Sequence, residues 1–356
     1  EEIEECLPLV KEQLPDIAWQ QSKVGGKIYM VPNIRYGFND LGVLIRGDIC
    51  EKYSIDSVNT LSDFEKYCYA IAENETAMEA LNDVAYLSSL FYQDPIGFRQ
   101  MIAGTTAGYY LKNVLAGDYT ISSYVFLDQF ADYCQKMRQY YQDGLWSADA
   151  IADTIDSQTK FSNGLLGTVI HTMATLNATA KTVSQEHPEW KLKICNLNKG
   201  ADVVATSFIT DGATINRLSE NPERTMMVIN RFFADPKYNH LLQYGIEGVN
   251  YEKNADGKMV TLTTDEANTY TPGCNWNFIN TVIGLSAADN YPGYDEILAD
   301  FNAHCVETPL QAFGFDQTNV KTELANINAV VKENTALQYG MVEDVESAIA
   351  QYRADL

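Results

Sequence analysis

Short apolar runs of strand length alternate with amphipathic helical stretches along the whole chain, and this alternation restricts the fold more than any other feature. Continuous or period-2 apolar runs bounded by Gly, Pro and Asn read as strands, and 3.6-residue periodicity reads as helix. The chain is therefore of the α/β class. Residues 27–32 (KIYMVP) follow a turn at Gly25 and Gly26 and read as a first strand, with 41–46 (LGVLIR) as a second. A helix begins over 48–53. The next is predicted at Thr60, a capping residue with Asp63 three positions on. Residues 124–143 read as one long amphipathic helix closed by Gly144, which suits the left-handed backbone of a helix end. Strands are expected over 164–172 and 203–210. Pro222 after Asn221 marks a helix start, because the first turn tolerates a missing N–H. Helical runs over 318–335 and 342–356 close the chain, and 250–258 and 271–276 read as turn-rich loops. There is no internal repeat and no low-complexity segment.

A length of 356 residues corresponds to about two domains. The formal net charge of -23 argues against nucleic acid, whose phosphates need concentrated Lys and Arg, and disfavours an anionic ligand without a locally basic site. No stretch reaches the roughly 18 apolar residues of a membrane span. The opening EEIEECLPLV lies inside an acidic amphipathic segment and shows no signal-peptide pattern. The 7 cysteines stand singly, without a CxxC pair, and read as free thiols. The 4 histidines offer no i, i+4 pair for zinc, so neither a metal nor a cofactor is expected. GxSxG, HExxH, Walker and GxGxxG motifs do not occur, and residues 104–108 (GTTAG) lack the Lys and the strand–helix setting of a phosphate loop. A glycoside hydrolase with two carboxylates is the enzyme alternative, since 48 acidic residues supply carboxylates in plenty. An adhesion or scaffold protein is a third reading.

The order of several motifs resembles a known family, the solute-binding proteins of ABC importers. Residues 25–32 (GGKIYMVP) are similar to that family's strand, followed as there by 42–55 (GVLIRGDICEKYSI) and the 60–67 helix (TLSDFEKY). Residues 163–169 (NGLLGTV), 208–233, and 246–252 (IEGVNYE) with Asp256 and Gly257 resemble further family segments. Residues 313–316 (FGFD), 320–325 (VKTELA) and 337–340 (LQYG) are similar to the C-terminal region of the LplA-like lipoprotein subgroup. In the family a long segment precedes the first of these strands, whereas only residues 1–24 do so here.

The resemblance implies a two-lobed, periplasmic-binding-protein-like (type II) α/β fold with a hinge between lobes and an incomplete N-terminal lobe. The larger lobe is expected over 37–203 plus 290–356, and the other over 1–30 plus 205–289. Crossings are expected near 30–37, 203–207 and 285–292. Implied with it are a non-enzymatic monomer that captures a small-molecule ligand, an oligosaccharide, and a partner ABC transporter membrane permease that receives it. An extracytoplasmic, cell-surface location is implied too, with lipid anchoring through a Cys upstream of the chain, because Cys6 lies in no lipobox. A peptide ligand is the alternative substrate.

Sugars are held by aromatic faces against their C–H surfaces and by planar polar groups that read hydroxyls. The 22 Tyr, 14 Phe and 4 Trp supply rings, although most rings fill cores. Trp276, flanked by Asn275 and Asn277 and followed by Phe278 and Asn280, is the first candidate; a plug between helices is the alternative. Arg35, Tyr36, Asn39 and Asp40, just past the first crossing, are the second, against an ordinary strand–loop connection. Tyr92, within 91–94 (FYQD), and His171, at the end of an apolar strand, complete the set. The alternative for His171 is a satisfied core histidine. Residues 211–214 are a further possibility, while Phe313 and Asp316 read as packing and a helix cap.

Overall fold

Leu41–Ile45 is buried at all of its positions and becomes the middle strand of a three-stranded sheet. The structure is a computed structural model that describes residues 5–38, 40–84, 86–87, 99–100, 109–113, 116–262, 270, 275–307 and 317–356. We label this central strand β1. It lies between Thr168–Thr172 (β2) and Lys193–Cys195 (β3), antiparallel to both, with Val43 opposite Ile170 on one side and Cys195 on the other. A strand with neighbours on both edges and packing on both faces needs the uninterrupted apolar run that the sequence supplies. The sheet belongs to a compact unit made of Asn39–Val204, Tyr291–Val306 and Gln317–Leu356.

Helix α1 (Leu61–Asn74) starts as predicted: the Thr60 Oγ1 accepts from Asp63 N at 3.2 Å, and its hydroxyl donates to the Asp63 carboxylate at 2.8 Å. Its buried face carries Phe64, Tyr67, Cys68 and Ile71. Tyr67 ties helix to sheet, donating to Gly167 O at 2.9 Å and accepting from Arg46 N at 2.9 Å. The helix expected over 124–143 is divided. Ser123 caps a 3-10 turn at Tyr124–Phe126, Leu127 takes extended backbone, and α2 (Asp128–Gln142) begins after it. Gly144 follows with φ +77, the left-handed conformation read from the sequence. Helix α3 (Met173–Glu186) leaves the end of β2 directly. The C-terminal helices Lys321–Glu333 and Val345–Asp355 belong to the same unit, and Ile349 and Tyr352 join its core beside Phe130.

The other unit consists of the described parts of Glu1–Phe38, Ala205–Asn290 and Glu307–Asp316. Helix α4 (Pro222–Ala234) starts at Pro222 as expected, and α5 (Pro236–Tyr244) is capped by Asp235, whose side chain accepts from Lys237 N at 3.0 Å. Asn230 on α4 accepts from Leu9 N and Val10 N at 2.9 and 3.1 Å and so caps the short helix Pro8–Gln13. Around this contact Leu7, Val10, Leu14, Ala18, Trp19, Val31, Ile34, Phe208 and Phe233 form the core.

Further sequence readings change: the strand expected over 164–172 is limited to Thr168–Thr172. The strand expected over 27–32 is a hairpin of Lys23–Val24 with Lys27–Ile28, a break, and then Val31–Pro32 paired with Gly212–Ala213. Gly25 and Gly26, at φ +57 and +81, make the hairpin turn that diverts the chain. The strand over 203–210 shrinks to Val203–Val204, because Ser207 accepts from Ile209 N and starts a 3-10 turn. The loop over 250–258 contains part of an antiparallel hairpin, Tyr251–Lys253 with Met259–Thr261, in which Asn254 Oδ1 accepts from Asp256 N and Lys258 N. The six described cysteines, Cys6, Cys50, Cys68, Cys134, Cys195 and Cys305, are free thiols.

Candidate functional site

In the smaller unit, the segment after Val31–Pro32 carries two of the expected residues. Ile34 bridges to Asn280, Thr281 N donates to Ile34 O at 2.8 Å, and Tyr36 N donates to Thr281 Oγ1 at 3.0 Å. These bonds fix the backbone on either side of Arg35. The Tyr36 ring stands edge-on to Phe208, with centroids 5.2 Å apart, and its hydroxyl donates to Gln13 O at 3.2 Å, yet the residue stays 45% exposed. Partial burial, and then the negative charge of Glu307, push the Tyr36 pKa up, so the hydroxyl remains a donor. Arg35 pairs with Asp211 at 3.7 Å, and Asp211 is held in turn by Asn33 N, which donates to its carbonyl at 3.1 Å. The result is an immobilised aromatic face with a guanidinium–carboxylate pair on the neighbouring residue.

The Trp276 segment forms a 3-10 turn over Asn275–Phe278. The side chains of Asn275 and Trp276 lie outside the described residues; Asn277 is half-buried. The Phe278 ring meets Phe232 and Phe233 edge-on at 6.2 and 6.1 Å, and its carbonyl accepts from Asn239 at 2.8 Å. Asn280 donates to Gln13 Oε1 and to Phe233 O, both at 2.7 Å, and accepts from Val282 N and Ile283 N. Phe278 and Asn280 thus build the frame under Tyr36.

In the larger unit, His171 lies near the end of β2 opposite Gly42. Its Nδ1 accepts from Thr172 N at 2.8 Å, so the neutral ring carries its proton on Nε2. Burial lowers the His171 pKa, which favours that neutral form. Its ring lies 5.1 Å from Tyr86, which is 37% exposed. Asp40 is half-buried just before β1, and its carbonyl accepts from Met173 N at 3.1 Å at the start of α3. Asn39 and Tyr92 lie outside the described residues, as do 104–108 and 313–316. Sequence reasoning missed Tyr86: no local pattern distinguishes it among 22 tyrosines, and only the fold brings it to His171.

Lys160 is held between Glu79 and Asp153 at 2.5 and 2.6 Å, an ion cluster in which both carboxylates are engaged. Among the described residues no group of three His, Cys, Asp or Glu could hold a metal ion, and no helix is long and apolar enough to cross a membrane.

Two α/β units joined by repeated passages of one chain define the class: the fold is that of the two-domain periplasmic solute-binding proteins. Residues 309–356 match a family model described as "Domain of unknown function (DUF3502)". The chain is 26% identical over 344 residues to a "Carbohydrate ABC transporter substrate-binding protein" of Streptococcus pneumoniae serotype 4, covering 92% of this chain and 65% of that relative. It thus spans just under two thirds of that curated relative's length. Among solved structures it is similar to the N-glycan transport solute binding protein NgtS of Streptococcus pneumoniae, with a TM-score of 0.73 and 19% identity over 99% of this chain and 77% of that one. It is also similar to the alginate-binding protein AlgQ2, with a TM-score of 0.67 and 16% identity over 100% of this chain and 77% of that one. The resemblance to ABC-importer solute-binding proteins, read from the ordered motifs, is borne out.

Proposed function

We propose that this chain captures a carbohydrate, an oligosaccharide, outside the cytoplasm and delivers it to the membrane permease of an ABC importer, with no bond made or broken. The observation that carries this reading is the exposed Tyr36 ring, held by its contact with Phe208 and its hydroxyl bond to Gln13 O, with Arg35 and Asp211 beside it. Such a ring suits the C–H surface of a pyranose, and the polar pair suits its hydroxyls. Relatives of the same fold support the substrate class, since NgtS has been crystallised with the mannose–N-acetylglucosamine saccharides Man1GlcNAc and Man5GlcNAc. His171 with Tyr86 is a second ligand-contacting pair in this proposal. Asn39, Asp40, Tyr92, Asn275, Trp276 and Asn277 remain its further members, with Phe278 acting through the frame. The proposal keeps hinge crossings near 30–37, 203–207 and 285–292, and the division of the chain at 38–39, 204–205 and 290–291, with further passages at 306–307 and 316–317, supports it. Lipid anchoring through an upstream Cys and a monomeric state belong to the same proposal.

A calorimetric screen of the chain against mannose–N-acetylglucosamine saccharides, other oligosaccharides and short peptides tests this. Saturable heat with a saccharide and none with peptides is expected. The opposite pattern overturns the substrate class, and steady turnover of a chromogenic glycoside that one carboxylate substitution abolishes overturns the binder reading.

A further inference from the structure

Residues 79–83 run beside β2 and the turn that precedes it. Glu79 N donates to Leu165 O at 3.0 Å, Gly167 N to Glu79 O at 2.8 Å, and the Thr168 hydroxyl to Ala80 O at 2.8 Å. The contact nearest the end of the strand uses a side chain: Ile170 N donates to the Asp83 carboxylate at 2.8 Å. The main chain of Asp83 is also committed, its carbonyl accepting from Leu87 N at 2.9 Å to close the turn that carries Tyr86. One residue beyond Ile170 stands His171, whose ring meets Tyr86 at 5.1 Å. One side chain and its own carbonyl therefore grip both supports of the ring pair.

We infer that Asp83 is a positioning residue for ligand capture, holding the Tyr86 and His171 rings in register through its carboxylate on Ile170 N–H and its carbonyl on the Tyr86 turn. This rests on the reading that the ring pair touches ligand. The carboxyl is mostly enclosed. It faces the Ser157 hydroxyl and the Asp156 carboxylate at the start of the helix Ser157–Ser162, and Tyr339 feels its charge. Burial, with a smaller push from Asp156, raises the Asp83 pKa to about 6 against the pull of the hydrogen bonds from Ile170 and Ser157. Burial also lowers the His171 pKa, so each of the two groups needs its own probe.

The test uses the whole chain with 15N-labelled His and Ile, as wild type, Asp83→Asn and Asp83→Ala, across about pH 4.5 to 8 without ligand. In the wild type the Ile170 amide shift should inflect near pH 6, and in Asp83→Asn that inflection should vanish. The His171 ring resonances should keep their Tyr86-induced displacement in Asp83→Asn, which retains an acceptor, and lose it in a folded Asp83→Ala. Unmoved His171 resonances in a folded Asp83→Ala overturn the inference, and so, whether or not Asp83→Ala folds, does an Ile170 amide shift that is the same in wild type and Asp83→Asn at about pH 8. Titration with Man1GlcNAc should then show binding about tenfold weaker in Asp83→Ala and restored in Asp83→Asn. Absence of binding to the wild type counts against the ligand reading alone, since the ring measurement decides the positioning with no ligand present.

Discussion

Tyr36 is held by its ring contact with Phe208 and its hydroxyl bond to Gln13 O while it stays 45% exposed, so on the proposed reading ring and hydroxyl can be tested separately. Tyr36→Ala removes the face and should weaken saccharide binding by about 1–3 kcal/mol, whereas Tyr36→Phe keeps the face and should cost less than about 1 kcal/mol. Calorimetry on the two variants checks this, and equal losses would mean that the hydroxyl, not the ring, meets the sugar. Asp83 makes a separate prediction about stability. Its folded pKa of about 6 lies above the ordinary carboxylate value of roughly 4, so the folded state holds this proton more tightly. Stability contributed by the protonated form is therefore complete at low pH and lost as pH rises from about 4 to about 6. Asp83→Asn should be more stable than the wild type by about 1–3 kcal/mol at pH 7, with the gain fading toward pH 4, measured by urea unfolding at both. Residues with local partners were legible in the sequence. Thr60 and Asp63 are three apart and bond to each other. The partner of His171 was not legible, because Tyr86 is brought there by the packing of residues 79–83 along β2.

At the scale of elements, the same division holds between local and distant causes. Pro222, Gly144 and Thr60 set helix ends by their own backbone or side-chain chemistry, and each end appears where the sequence places it. Strand extent depends on which neighbour offers a free edge. Residues 27–32 look like one strand, but Val31–Pro32 finds Gly212–Ala213 while Lys27–Ile28 folds back on Lys23–Val24. The signal missed over 250–258 was turn chemistry, since Asn254 and Gly257 make a hairpin connection that reads as loop when the flanking strands are only three residues each. Thr60→Ala should cost about 1 kcal/mol by removing the cap of α1, read as a lower urea midpoint with unchanged slope. Lys160→Met should cost about 1–3 kcal/mol, because it leaves Glu79 and Asp153 facing each other with little solvent access. Its deficit should shrink as pH is lowered and those carboxylates take up protons, which unfolding at pH 7 and at about pH 4.5 would reveal.

For the molecule as a whole, 48 acidic against 25 basic residues, a net -23, means long-range self-repulsion that the fold must overcome. Melting temperature should therefore rise as NaCl increases from about 10 mM to about 150 mM, over which the screening length falls from about 30 to about 8 Å. A flat response in differential scanning calorimetry would show that local pairing cancels the excess. The C-terminal residues carry a different whole-chain lesson. Within 309–356, Tyr339 O accepts from Trp146 Nε1 at 3.1 Å, Gln338 donates to Tyr124 at 3.0 Å, and Arg353 donates to Val125 O and Leu127 O. Gly340 sits at φ +68 with its α-carbon so near the Met137 carbonyl that any side chain would collide with it. The segment recognised as a separate family is thus one face of a joint whose other face lies some two hundred positions earlier. A tail grafted in from a relative would therefore have to reproduce these contacts with residues 124–146, or the joint would open.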